Sequence, residues 1–206
     1  MKYFYIDTSS SYLYTGVVEE DKVLYEIKEK LDNNLSTFSL YLIEDMFKKI
    51  GIVPKDINKI IVVNGPGSFT GVRIGVTIAK TWAWALKIPI ITVSSLKAMA
   101  ISCEEKGIKV PIIDARRENY YAGIYDEENK NIMEDCHISR ENLLSKLKEI
   151  SGKYYFIGSA NLEENILTYS PNILKIVSTV KNEQAINPHA VNPNYLKLTE
   201  AEEKLK

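Results

Sequence analysis

The sequence predicts an α/β fold, and three observations carry that prediction. A β-branched run, Ile60 to Val63, breaks at Gly65-Pro66-Gly67 and resumes as a helix reaching about Leu86. Strand-like runs and amphipathic stretches alternate along the rest of the chain. After Gly107 the strand pattern restarts at Lys109 to Asp114, which divides the chain into a part over 1–107 and a smaller one over 108–206. With 206 residues, 45% of them hydrophobic, it can fill one large core or two small lobes.

Residues 2 to 30 read as three strands, Tyr3 to Asp7, Tyr12 to Glu19 and Lys22 to Lys28, the last two joined by a turn at Glu20-Asp21. Leu35, Phe38, Leu42, Ile43, Met46, Phe47 and Ile50 follow helical spacing, with Asn34 or Ser36 as a start and Gly51 as a stop. Ser68 or Thr70 caps the helix after the glycine turn, because a side-chain oxygen there accepts an orphan N–H. Pro89 to Val93 is a strand and Ser94 to Lys106 a helix capped by Ser94 or Ser95. Lys109 to Asp114 and Tyr120 to Tyr125 form a strand–turn–strand unit, and Ser139 to Ile150 a helix with Leu143, Leu144 and Leu147 inward. Tyr154 to Gly158 is a strand, Asn161 to Tyr169 a short helix and Ile173 to Val177 a short strand. From Val180 to Tyr195 the Asn-Pro pairs at 187–188 and 192–193 interrupt any helix.

The central helix carries a stripe of small residues, Gly71, Gly75, Ala79 and Ala83, that lets a neighbour approach closely. Glycine within a helix costs roughly 1 kcal/mol against alanine, so contact on that ridge has to offset it. Trp82 and Trp84 lie about 200° apart on the helical wheel and cannot both face one core. Such a helix is either central in its own domain or covered by another chain. The glycine stretch has three readings. A P-loop is one, but five residues separate Gly65 from Gly71 and Val72-Arg73 follows in place of Lys-Ser/Thr. A dinucleotide turn is another, though the next strand ends Ile91-Thr92-Val93-Ser94 without an acidic residue for a ribose. The third is a strand-to-helix turn that serves packing alone.

The net charge is −1, with no basic patch legible in the sequence, so any RNA connection is borrowed from a partner. Met1-Lys2-Tyr3-Phe4 runs directly into a strand, so neither a signal peptide nor a membrane span is expected. Cys103 and Cys136 stand apart, as reduced thiols of a cytoplasmic protein would. His137 and His189 have no neighbour at ligand spacing. No internal repeat is visible.

The stretch Gly65-Pro66-Gly67-Ser68-Phe69-Thr70-Gly71-Val72-Arg73-Ile74-Gly75, followed by Ser94-Ser95-Leu96, resembles the TsaB family of bacterial tRNA threonylcarbamoyladenosine biosynthesis proteins. The likeness extends to Ile6-Asp7-Thr8-Ser9, Ile113-Asp114-Ala115-Arg116-Arg117 and Tyr195-Leu196-Lys197, nearly the whole chain. It implies a two-lobed actin/Hsp70/sugar-kinase-like (ASKHA) fold and a role as non-catalytic partner of the related enzyme TsaD. Catalytic relatives carry a His-x-x-x-His metal pair at the first amphipathic helix; here that region has no histidine, and no metal or cofactor is expected.

In that superfamily an acidic residue ending the first strand sits beside a metal-phosphate. Asp7 occupies the position, and a capping or turn aspartate is the alternative reading. The second hairpin would cradle a phosphate on glycines; here it holds Ala115-Arg116-Arg117-Glu118-Asn119, with Arg116 and Arg117 left to meet an anion or a partner carboxylate. The expected partner surface is formed by Phe38, Leu42 and Met46 of the first helix with Gly71, Val72, Arg73, Gly75, Val76, Ala79, Lys80, Ala83 and Trp84 of the central one. The expected partners are a TsaD-like catalytic subunit and a TsaE-like ATPase, a homodimer forming when the chain is alone, with tRNA met indirectly and no membrane. An active ATP-dependent phosphotransferase or metalloprotease is the alternative, and a small-ligand sensor working in the interlobe cleft a third reading.

Overall fold

The computed structural model describes residues 1–159 and 166–197. Two five-stranded sheets organise the chain. In the first, β1 (Lys2–Asp7), β2 (Tyr12–Glu19) and β3 (Lys22–Lys30) run antiparallel, and β4 (Lys59–Val63) and β5 (Ile90–Val93) continue in parallel, giving the order β3-β2-β1-β4-β5. In the second, β6 (Ile108–Asp114), β7 (Asn119–Tyr125) and β8 (Asn131–Ser139) are antiparallel, followed by parallel β9 (Tyr154–Ser159) and β10 (Ile166–Leu167), in the order β10-β9-β6-β7-β8. Counted from its own first strand, each sheet has the same order and the same switch from antiparallel to parallel. The two-lobed architecture is therefore a duplication of topology that no repeat of residues announces.

Alternation along the strands divides the cores. Phe4, Ile6, Leu13, Val17, Ile60 and Val62 face α1 (Leu35–Ile50) and α2 (Phe69–Leu86). Tyr3, Tyr5, Tyr14, Val18, Ile61 and Val63 face the other way, toward α3 (Ser95–Ser102) and α5 (Ile173–Val180). In the second sheet Val110, Ile112, Ala122, Ile124 and Phe156 cover Leu143 and Leu147 of α4 (Arg140–Lys148). α3 is apolar nearly all round because it lies between the lobes: Ala98 and Ile101 meet the first sheet, while Leu96, Met99 and Ala100 meet Tyr125 and Ile157 of the second.

Serines cap three of the helices, Ser68 and Ser94 as expected. The side chain of Ser68 accepts the Gly71 N–H at 3.2 Å, Ser94 accepts from Leu96 at 3.1 Å, and Ser139 from Asn142 at 3.3 Å. Four expectations are corrected. Residues 173–180 are a helix rather than a strand, because Ile173, Ile176, Val177 and Val180 at helical spacing bury against the first sheet and Asn172 caps the start. β8 was not anticipated; it is a half-exposed edge strand without clean alternation. Of the helix expected over 161–169, residues 161–165 lie outside the described residues and Ile166–Leu167 pair as a strand. The division at 107 holds for the sheets only. α5 packs on the first sheet, Ile186 bridges Ile90 and Val191 is buried in the first core, so the chain after β10 returns to the first lobe.

Candidate functional site

The first lobe's glycine turn closes upon the end of β1. Thr8 Oγ1 donates to Gly71 O at 2.7 Å, and the Ser68 N–H donates to Ser9 O at 2.7 Å. A Cβ at Gly75 would lie 2.5 Å from Thr8 Oγ1; at Gly71 or Gly67 it would run into the main-chain oxygens of Thr8 and Ser9. The small-residue ridge and the glycine turn thus serve a close approach within this chain, which is the packing reading of the stretch.

Asp7 immediately precedes these residues at the end of β1. It is 2% exposed, its Oδ1 accepts the Ser9 N–H at 2.8 Å, and burial raises its pKa, with the Ser9 bond partly offsetting the effect. Tyr5, Tyr14 and Tyr169 surround it, and burial together with the Asp7 charge pushes the Tyr14 phenol up to about 12. A buried carboxyl among three phenols that accepts the N–H two residues on has the geometry of a turn aspartate.

Asp114 is its counterpart at the end of the first strand of the second sheet, and its Oδ1 accepts the Arg116 N–H at the same 2.8 Å. This turn is open: Asp114, Arg116, Arg117 and Glu118 are all exposed. Arg116, Arg117 and Glu118 adopt φ of 68°, 52° and 56°, so three successive non-glycine residues take the left-handed conformation that the missing glycines would have favoured.

Between the lobes is a link the sequence did not signal. Asp135 of β8 accepts hydrogen bonds from Ser94 Oγ, at the start of α3, and from Tyr125 Oη at 2.5 Å. Burial raises the Asp135 pKa, and the two hydroxyl donors work against that shift. A cavity of ≈ 240 Å³ is lined by Met99, Ser102, Cys103, Ile157 and Tyr169 among others. Among the described residues no three His, Cys, Asp or Glu side chains gather as metal ligands.

The expected partner surface needs correction. Met46, Gly71, Val72, Gly75, Val76, Ala79 and Ala83 are buried against this chain's own first sheet and offer nothing to a second protein. Leu42 is half-buried on the same core, and Trp82 fills a site between Phe4 and Phe47. Arg73 and Lys80 reach the surface but hold the chain's own tail: Arg73 Nε donates to Tyr195 Oη at 2.7 Å and Lys80 Nζ to Val191 O at 2.8 Å. Arg73 also stacks 3.6 Å above the Phe69 ring. Phe38 and Trp84 do point outward, at 44% and 62% exposure, and Leu40 and Tyr41, which were not singled out, join Phe38 on α1 at 53% and 65%. Leu40-Tyr41-Leu42-Ile43 is apolar without interruption, wider than one helical stripe requires, and that was the available signal.

The family model described as "TsaD: tRNA N6-adenosine threonylcarbamoyltransferase" matches residues 30–203. The "tRNA threonylcarbamoyladenosine biosynthesis protein TsaB" of Bacillus subtilis strain 168 is 34% identical, over 97% of this chain and 95% of its own. Two solved structures from Pseudomonas aeruginosa share the fold. One, described as having similarity to peptidase YeaZ, has a TM-score of 0.81 at 19% identity, covering 95% of this chain and 99% of its own. YeaZ itself has a TM-score of 0.75 at 18% identity, covering 94% and 100%. A match that long, to a relative of the same length, shows that the chain belongs to the family the TsaD model describes and, within it, to the TsaB proteins.

Proposed function

We propose that the chain acts in forming threonylcarbamoyladenosine on tRNA as a non-catalytic subunit, pairing with a TsaD-like catalytic protein in the cytoplasm. The family supports the pathway, since the relative from Bacillus subtilis is named for that biosynthesis. The observation that carries the subunit role is the outer face of α1, where Phe38, Leu40 and Tyr41 stand in solvent within one helical turn. Such side chains gain roughly 1.5–3 kcal/mol each when fully covered, which is the energetic basis of a docking surface. The burial of Asp7 points the same way, because the position that would hold a reactive carboxylate in an active relative is occupied by a structural turn.

The partner surface is therefore smaller than the sequence suggested: the outer face of α1, with Leu42 at its edge. On its own, the chain pairs with a second copy through this face, a two-fold contact standing in for the catalytic subunit, and a TsaE-like ATPase joins the assembly through the catalytic subunit. Reconstituting tRNA modification with this protein and a TsaD-like enzyme, each omitted in turn, tests the reading. Product should require both. Product from this chain without the enzyme would assign it the chemistry and overturn the proposal.

A further inference from the structure

We propose that Asp135 is a latch that sets the angle between the lobes: it holds α3 through the Ser94 hydroxyl and, through the neighbouring Ser95, ties the second sheet to the glycine turn where α2 begins. The two serines at the start of α3 bond to different lobes. The Ser94 hydroxyl donates to Asp135 Oδ2, and the same oxygen accepts the Leu96 and Lys97 N–H groups at 3.1 and 3.4 Å as the cap of α3. Ser95, 3% exposed, turns to the first lobe: its N–H donates to Gly65 O at 3.0 Å and its hydroxyl to Pro66 O. One path of hydrogen bonds thus runs from Tyr125 and Asp135, across the first residues of α3, to Gly65-Pro66.

The second sheet is shaped around this carboxyl. The pairing of β7 with β8 shifts register on either side of Ile124, and a Cβ at Gly123 would run into Asp135 Oδ1 and stand 2.8 Å from Tyr125 Cε2. Gly123 has no positive φ that would call for glycine, so the space it leaves is the space the carboxyl fills. Tyr125 is 1% exposed and points its phenol at the same group. Around the latch the contact is apolar, with Leu96, Met99 and Ala100 against Tyr125 and Ile157. Apolar contact is non-directional and would hold the lobes together at more than one angle, whereas hydrogen bonds to an ionised carboxyl are directional and strong. A carboxyl costs more to bury here than an apolar side chain would, and what it adds is a single arrangement.

Backbone amide dipolar couplings of the full chain in a dilute aligning medium report the angle between the sheets, and hydrogen exchange of the Ser95 amide reports the far end of the path. In the parent, both sheets should fit one alignment tensor on the lobe arrangement described above. In Asp135→Ala each sheet should still fit by itself, which shows that both lobes are folded. The two should no longer fit together on that arrangement, and Ser95 exchange should quicken at least tenfold. Gly123→Ala keeps the carboxyl but displaces it, so it should reproduce both changes, and it decides the matter if Asp135→Ala fails to fold. Tyr125→Phe leaves the Ser94 bond in place and should keep the parent's arrangement. A parent that needs two tensors, a disrupted variant that keeps the parent's arrangement, unchanged Ser95 exchange, or an arrangement lost in Tyr125→Phe would each overturn the assignment.

Discussion

Replacing Gly75 with alanine tests the close approach of α2 to β1, and a second substitution reveals its cause. A Cβ at position 75 would stand 2.5 Å from Thr8 Oγ1, about an ångström inside ordinary contact. Overfilling a packed site costs typically about 1–3 kcal/mol, and the gain in helix propensity returns about 1 kcal/mol. Gly75→Ala should therefore lose about 1 kcal/mol, which for a chain of this size lowers Tm by roughly 2–4 °C. Thr8→Ala alone gives up the 2.7 Å bond to Gly71 O, also about 1 kcal/mol. In the double variant the obstructing oxygen is gone, and the next atoms of Thr8, Cβ and N, lie 3.7 Å away. Its stability should be close to that of the parent, a coupling of about 2 kcal/mol against the sum of the single changes. At Gly71 the obstacle is the main-chain oxygen of Thr8, so Gly71→Ala should be the costlier change and Thr8→Ala should not rescue it. Urea unfolding of the five variants gives these numbers. Additive losses for Thr8→Ala with Gly75→Ala, or rescue of Gly71→Ala by the same partner, would refute the packing argument.

Two further outcomes are expected. Asp7 has a folded-state pKa above its unfolded value, so as pH rises from the unfolded pKa through the folded one the buried carboxyl must ionise and stability is lost. Asp7→Asn keeps an acceptor for the Ser9 N–H and should stabilise the protein more at pH 7 than at pH 4 in urea unfolding; an equal gain at both would contradict the burial account. Arg116→Gly or Arg117→Gly should leave stability unchanged or raise it by up to about 1 kcal/mol, whereas glycine in an ordinary helix costs about that much. Calorimetric unfolding decides between the two.

Local signals carried the reading of the first lobe. Ser68 and Ser94 cap helices as their positions implied, and α1 begins and ends where Leu35 and Ile50 had placed it. What could not be read was which apolar face turns inward. Gly71, Gly75, Ala79 and Ala83 marked a close approach correctly, yet nothing local says whether the neighbour is a strand of the same chain or another protein. The apolar run at Ile173 to Val177 is too short for its period to tell strand from helix, and only Ile173, Ile176, Val177 and Val180 burying together settle the helical one. The Asp135 link is invisible because it joins a strand of the second sheet to Ser94 at the start of α3, 41 residues away in sequence. For Asp7, the short-range bond to Ser9 was legible as a turn, but the three phenols that seal it arrive from β1, β2 and the segment after β10.

The central claim is that this molecule contributes a docking face and no reactive group. Its most direct test is tRNA threonylcarbamoylation in the reconstituted mixture, with the parent chain replaced by Asp7→Asn or by the pair Phe38→Asp/Tyr41→Asp. Both α1 positions are exposed, so the second variant should fold with stability close to the parent's, the usual outcome for surface changes, about 0.5 kcal/mol either way. The account predicts full product with Asp7→Asn, and loss of both product and capture of the catalytic subunit with the aspartate pair. Product abolished by Asp7→Asn in a folded protein, or undiminished with the aspartate pair, would contradict it.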